Sequence, residues 1–325
     1  MTPTALWCIG PGRAETRPAE PGDGVAVDTL FTAISRGTER LVFEGRVPES
    51  EAGRMRAPAQ EGAFPFPVKY GYSAVGRVTE GALRGRAVFA LHPHQTRFRM
   101  PEAALTPLPD GLPPERAVLG ANMETALNIL WDSGAAAGDR IAVIGAGVVG
   151  ALAGYLAARL PGAEVTLVDR RPERAALADA LGCGFAPADE TPKGAPDGAP
   201  DACDVVIHTS ATADGLALAL GLAGQDATVV EASWHGAGAT PVPLGGAFHS
   251  RRVRLVSSQV GHLPPDRAAR WTHGRRMAKA LDLLCDPALD ILISGETRFE
   301  DLAAQYGAIL GDPDTLCHRI RYPRT

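Results

Sequence analysis

The sequence predicts an α/β protein: a doubly wound parallel sheet with helices on both faces, set behind a β-rich amino-terminal portion. Three observations predict it. A glycine-rich turn, Gly145-Ala146-Gly147-Val148-Val149-Gly150, separates the apolar runs 141–144 and 151–160. A further apolar run, 165–168, ends at Asp169, nineteen residues after Gly150. Short apolar strands and helical stretches then keep alternating, which is the pattern of a parallel sheet with crossover helices.

The turn carries the chemistry. Gly145 permits a sharp exit from the strand, Gly147 lets a phosphate approach the backbone, and Gly150 lets the helix lie close to the sheet. The amides of Val148 and Val149 open the helix, whose N-terminus presents free N–H groups and a positive dipole end to an anion. Asp169 sits where a carboxylate accepts the ribose hydroxyls of a dinucleotide and repels a 2′-phosphate. Strand, turn, helix, strand and acid together are the grammar of a Rossmann dinucleotide-binding unit. NAD is the expected cofactor. Arg170 and Arg171 keep NADP as the less favoured choice, because a neighbouring Arg accommodates a 2′-phosphate. A protein that holds a nicotinamide dinucleotide moves hydride.

The other elements follow in chain order. Segments 24–33, 74–78 and 87–91 read as strands parted by Gly and Pro turns, and 96–100 as another. Residues 107–111 form a turn. A helical pattern runs from 114 to 131, with Ala117, Val118, Ala121, Leu127 and Leu130 on its apolar face. After Asp169 come a helix at 172–181, a polar Pro/Gly-rich loop at 187–200, a strand at 204–208, a helix at 215–222, and strands at 228–232 and 253–257. A basic amphipathic helix is expected over 266–284, with Trp271, Met277, Ala278 and Leu281 on one side. Its Arg267, Arg270, Arg275, Arg276 and Lys279 read as a solvated face.

Composition sets the bounds. The chain has 325 residues, 45% of them apolar, and a net charge of −5. That is enough for two domains and argues against general nucleic-acid binding. No signal pattern opens the chain and no apolar run spans a bilayer, so no membrane association is expected. Cys8, Cys183, Cys203, Cys285 and Cys317 are scattered, without a CxxC pair. Neither a zinc lobe nor a disulfide framework follows, and a reduced, cytoplasmic setting does.

Longer stretches carry a resemblance. Ser35-Arg36-Gly37-Thr38-Glu39 resembles the Gly-Ile-Cys-Gly-Thr-Asp segment of zinc-dependent medium-chain dehydrogenases/reductases, the alcohol dehydrogenase-like superfamily. Pro67 to Gly76 resembles their Pro-x-x-x-Gly-His-Glu-x-x-Gly segment, and residues 100–110 the stretch leading to Leu-Pro-Asp. The run Gly37-Thr38-Glu39-Arg40 is also similar to bacteriochlorophyllide a dehydrogenases, members that oxidise a hydroxyethyl side chain. The resemblance covers nearly the whole chain. It implies a GroES-like catalytic domain at 1–118, the Rossmann domain at 119–262, a C-terminal return at 263–325, and a substrate cleft between the domains. It also implies a homodimer paired through the sheet edge at 253–257.

The departures from the family shape the expected mechanism. At the catalytic-zinc positions stand Arg36 for Cys, Tyr72 for His, Ser73 for Glu and Asn122 for the later Cys or Glu. Arg cannot ligate zinc, and neutral Tyr, Ser and Asn are poor ligands. The four-cysteine lobe is replaced by a short segment between Leu91 and Phe98. No zinc is therefore expected. His92 and His94, spaced to point the same way on a strand, leave room for an unrelated metal site that lacks an evident third ligand.

Without zinc, a developing alkoxide needs another donor or charge. Thr38 matches the Ser/Thr that starts the family's proton relay, but the His that ends it is Leu41 here. Tyr72 either donates its phenol proton to a substrate oxygen or fills the vacated space with its hydroxyl on Glu39. Arg36 either pairs with Glu39 or Glu124, or clamps an anionic substrate group. Asn122 and Glu124 fall where family members line the substrate. His92 and His94 are acid/base candidates. Trp234-His235 follow a strand's carboxyl end, where open α/β sheets bind ligands. Thr209, Ser210 and Ser258 end strands beside the expected nicotinamide. The expected activity is zinc-independent hydride exchange with a small alcohol or carbonyl substrate. The alternatives are a C=C reductase of the enoyl or quinone type and a non-catalytic dinucleotide-binding regulator.

Overall fold

The computed structural model describes residues 2–191 and 202–323. Most of the predicted 187–200 loop lies outside them. The chain divides into two compact units, Met1–Ala121 with His273–Thr325, and Asn122–Thr272.

The second unit is a six-stranded, all-parallel sheet. Its spatial order is Gly184–Pro187, Glu164–Asp169, Arg140–Ile144, Cys203–His208, Ala223–Glu231, Arg254–Ser257. In chain order that is 3-2-1-4-5-6, the doubly wound arrangement whose direction reverses between Arg140–Ile144 and Cys203–His208. The central strands are buried on both faces, so they read as continuous apolar runs. Ala142, Ile144, Val206 and Val229 pack with Leu216 and Leu220 from helix Ala213–Leu222. Gly184–Pro187 was not legible as a strand, because it is a four-residue edge segment ending in Pro.

The first unit is β-rich. One sheet runs Ile293–Arg298, Cys317–Arg321, Val25–Ser35, Ala74–Val78, Ala87–Ala90, Thr106–Pro107, with Arg97–Met100 also pairing to Val25–Ser35. A smaller sheet orders Arg13–Pro18, Thr4–Gly10, Val68–Lys69, Glu61–Gly62. Val27, Ala74, Val88, Ala90 and Phe98 fill the space over the larger sheet. The C-terminal residues enter as the strands Ile293–Arg298 and Cys317–Arg321, with helix Phe299–Gly311 between them.

Two predicted helices are each two helices. The 114–131 pattern breaks into Pro114–Ala117 and Gly120–Ser133. The Ser73 hydroxyl donates to the Val118 carbonyl at 2.5 Å, drawing it out of a helical ladder. A Cβ on Gly120 would meet the Phe89 ring at 2.8 Å, so the second helix starts at a position too tight for a side chain. The basic 266–284 stretch breaks into Pro265–Ala268 and His273–Leu283. Trp271 lies in the break and packs on Trp131, ring centroids 4.7 Å apart. It therefore shares no helix face with Met277 and Leu281, which belong to the other unit. Arg276, expected in solvent, is 1% exposed.

All five cysteines are free, and four are buried. Burial, with Glu39 adding to it, pushes the Cys8 thiol up to about 12. No helix among the described residues is long and apolar enough to cross a membrane.

Candidate functional site

In the second unit the glycine turn sits at the point where strand order reverses. Gly145 has φ +104°, and a Cβ there would lie 3.0 Å from the Ser210 backbone. Its amide donates to the Val168 carbonyl at 2.8 Å. Gly147 faces open space, where a Cβ would meet nothing within 4 Å. Among the described residues no side chain caps the helix Val148–Ala157 that begins there, so the first-turn amides of the half-buried Val148 and Val149 stay open to an anion. Gly150 serves the turn itself. A Cβ on it would stand 1.9 Å from the Gly145 carbonyl oxygen and 2.6 Å from Thr209 Oγ1. Close packing of helix on sheet falls instead to Gly154, against Leu167.

Asp169 locks the same turn. Its carboxylate accepts the Ala146 amide at 2.7 Å and the Arg171 amide at 3.0 Å. Arg170 is exposed. Thr209 donates its hydroxyl to the Gly145 carbonyl at 2.8 Å, so it braces the turn from the neighbouring strand. Ser258 donates to Asp132 Oδ2 at 2.6 Å, which ties its hydroxyl to helix Gly120–Ser133. Trp234 is half-buried in the loop after Ala223–Glu231.

The carboxyl ends of the middle strands also hold a cluster that sequence reasoning did not assemble. Ile144, His208 and Glu231 stand in one row of the sheet register. His208 Nδ1 lies 2.6 Å from Glu231 Oε2, and its Nε2 lies 2.7 Å from Ser210 Oγ. His235 Nε2 lies 3.3 Å from the same Glu231 oxygen. Burial pushes the Glu231 carboxyl up, but the contacts with His208 and Ser233 hold it below the usual carboxylate range. The available signal was an ionisable residue closing each of two apolar runs, Val205-Val206-Ile207-His208 and Val229-Val230-Glu231.

In the first unit the expected residues gather around helix Arg36–Phe43. Glu39 is fully buried. Its Oε1 accepts the Ser35 amide at 2.7 Å. Its Oε2 accepts the Tyr306 hydroxyl at 2.6 Å and lies 3.0 Å from His94 Nε2. His94 Nδ1 lies 2.7 Å from Thr32 Oγ1, which is 3.2 Å from the Tyr322 hydroxyl. Glu39 is thus held by Ser35, Tyr306 and His94, and not by the expected Arg36 or Tyr72. Arg36 instead donates Nε to the Leu310 carbonyl at 3.0 Å.

The Tyr72 phenol is set among hydroxyls. Burial pushes it up to about 12; hydrogen bonds from Ser35 and Thr38 oppose that, and the Glu39 charge adds to it. It stays a proton donor across the physiological range. His92 and His94 do not converge on a metal. They lie in a loop, not a strand. His92 stacks on Phe98 with ring centroids 4.0 Å apart, while His94 turns to Glu39. Burial drives the His92 imidazole down to about 3, so it is a neutral core side chain and no acid/base group near neutral pH. Asn122 and Glu124 are buried near the start of helix Gly120–Ser133.

No known family profile matches the chain. Solved structures match it along nearly their whole length. L-idonate 5-dehydrogenase from Escherichia coli superposes with a TM-score of 0.77 at 14% identity, covering 99% of this chain and 98% of that one. The 2R,3R-butanediol dehydrogenase from Bacillus subtilis gives 0.76 at 17% identity, with 99% and 100% covered. The yhdH oxidoreductase from Salmonella enterica, solved with NADP, gives 0.71 at 20% identity, with 98% and 99% covered. The fold is therefore the one these enzymes share, a Rossmann sheet plus a β-rich GroES-like unit.

Proposed function

We propose that this chain is a nicotinamide-dependent oxidoreductase of the medium-chain dehydrogenase/reductase superfamily, acting on an alcohol or its carbonyl form. The observation that carries the proposal is the turn Gly145–Gly150. It combines a positive-φ glycine, open space at Gly147 and an uncapped helix start, at the reversal point of a 3-2-1-4-5-6 sheet. That combination fits a pyrophosphate. Asp169 supports NAD over NADP: its oxygens retain lone pairs beyond the two amides they accept, so they can also take ribose hydroxyls.

A nicotinamide bound there supplies a hydride acceptor or donor. The proposed work of the first unit is to manage the proton. Tyr72, kept protonated by burial, donates to the substrate oxygen, and Thr38 and Ser35 orient its hydroxyl. Arg36 is proposed to bind the substrate from this unit. The reaction is proposed to run without a zinc at these positions, because Arg36, Tyr72, Ser73 and Asn122 are not a zinc donor set. We further propose a cytoplasmic homodimer paired through Arg254–Ser257, which is an edge strand of the parallel sheet.

Titration of the purified protein with NADH and NADPH, followed by nicotinamide fluorescence, tests the cofactor assignment. Turnover of an alcohol panel against an enone panel tests the reaction, and is expected to favour alcohols and to survive exhaustive chelation. Turnover of enones alone would replace the proposal with C=C reduction. Failure to bind either dinucleotide would end it.

A further inference from the structure

His208, Glu231 and His235 form the group of metal-type side chains that converges among the described residues, with donor atoms all within 4.8 Å of one another. Nothing in the proposed hydride reaction uses them. We propose that they bind a borderline divalent cation, zinc first, through His208 Nδ1, Glu231 Oε2 and His235 Nε2.

Outer partners support the assignment. His208 Nε2 is engaged by Ser210 Oγ at 2.7 Å, and His235 Nδ1 by Thr240 Oγ1 at 3.0 Å. Each imidazole is held at its outer nitrogen by a hydroxyl while its inner nitrogen faces one carboxylate oxygen. Metal-bound histidines are oriented in this way. Glu231 is prepared on its other side: Oε1 accepts the Ser233 amide at 2.8 Å, leaving Oε2 as a single ligand atom.

The orphaned atom points to a cation. Among the described residues His235 Nε2 is buried without a hydrogen-bond partner, although it stands 3.3 Å from Glu231 Oε2. That contact has the distance of an ion pair but not the geometry of a hydrogen bond. Donor atoms around a tetrahedral zinc stand about 3.4 Å apart, which the His235–Glu231 spacing already matches. The His208–Glu231 pair, at 2.6 Å, has to open by several tenths of an ångström as the ion replaces their shared proton. Two imidazoles and one carboxylate suit zinc, and three protein ligands leave a fourth position for water or a ligand oxygen. The site would tie the loop carrying His235 and Thr240 to the carboxyl edge of the sheet.

The test is calorimetric titration of the chelator-treated, full-length protein with zinc chloride, with bound zinc counted by elemental analysis after dialysis. One ion per chain is expected. His235→Gln should weaken binding more than about 100-fold, and Thr240→Val by about 10- to 100-fold, as removal of an outer-shell partner does. His249→Gln removes an exposed histidine outside the cluster and should bind as the parent does. Absence of saturable binding overturns the proposal. So does undiminished binding in His235→Gln, which can be checked for folding by circular dichroism because His208 and its strand are untouched. Neither dinucleotide nor substrate enters the experiment, so its outcome is separate from that of the hydride reading.

Discussion

The Tyr306 hydroxyl donates to Glu39 Oε2 at 2.6 Å, joining residues 267 positions apart inside the first unit. Both side chains are shut off from water. The bond links the C-terminal helix to the helix that positions Thr38. Tyr306→Phe keeps the edge-on contact with Phe43 and removes only the donor. A buried acceptor that loses a donor costs about 1–3 kcal/mol. Urea unfolding should show that loss as a lower midpoint with an unchanged slope; an unmoved midpoint would assign the bond no weight.

Tyr72→Phe isolates the proton step. The phenol is pushed up to about 12 by burial, so at neutral pH it is a donor and not a phenolate. Removing it should lower kcat about 10²-fold while leaving dinucleotide affinity unchanged. Thr38→Val, which loses one of the hydroxyls that orient it, should fall in the same direction by less. Steady-state kinetics on an alcohol substrate reads both, and a Tyr72→Phe rate equal to the parent's would remove Tyr72 from the mechanism.

Gly147 and Gly150 should respond differently to alanine. A methyl at Gly147 meets no protein atom, and φ is −73° there. Stability should hold within about 0.5 kcal/mol, while dinucleotide affinity falls because the methyl occupies the phosphate's approach. A methyl at Gly150 runs into the Gly145 carbonyl and Thr209. Gly150→Ala should lose stability by about 1–3 kcal/mol as well as affinity. Thermal unfolding beside fluorescence titration separates the two. Equal stability losses would contradict the open space at Gly147.

His92 makes stability depend on pH in a definite direction. Burial lowers its folded value from 6.5 to about 3, with Lys69 and His94 acting the same way against the Pro93 carbonyl. Between those values the unfolded chain binds the extra proton. Stability therefore rises with pH through this window, and is lost as pH falls from about 6.5 towards 3. His92→Phe replaces the imidazole stacked on Phe98 with a ring that does not titrate. Its stability should fall less steeply than the parent's over that window, measured by denaturant midpoints at a series of pH values. Parallel slopes would exclude His92 as a source of acid sensitivity.

Local chemistry made the glycine-rich turn legible. Residues 141–169 form one contiguous strand, turn, helix and strand, and each glycine's task is set by neighbours close in the chain or by the next strand. Gly145 has the positive φ a sharp exit from the strand needs, Gly147 faces open space, and Asp169 closes the second strand. The parallel sheet was legible for a similar reason, since strands buried on both faces must be apolar throughout. The broken helices were not, because a distant side chain causes each break: Ser73 reaches the Val118 carbonyl, and Trp131 takes Trp271.

The sequence by itself determined the strand–turn–helix unit, the acid that follows it and the absence of cysteine or histidine at Arg36 and Tyr72. Those features depend on residue type and short spacing. Only the tertiary structure decided that Glu39 is held by Tyr306 and His94, that His92 is a core side chain, and that His208, Glu231 and His235 meet at one oxygen. Each depends on the register of strands or the docking of elements far apart in the chain. Such contacts form when apolar surface is buried, and no local spacing encodes them.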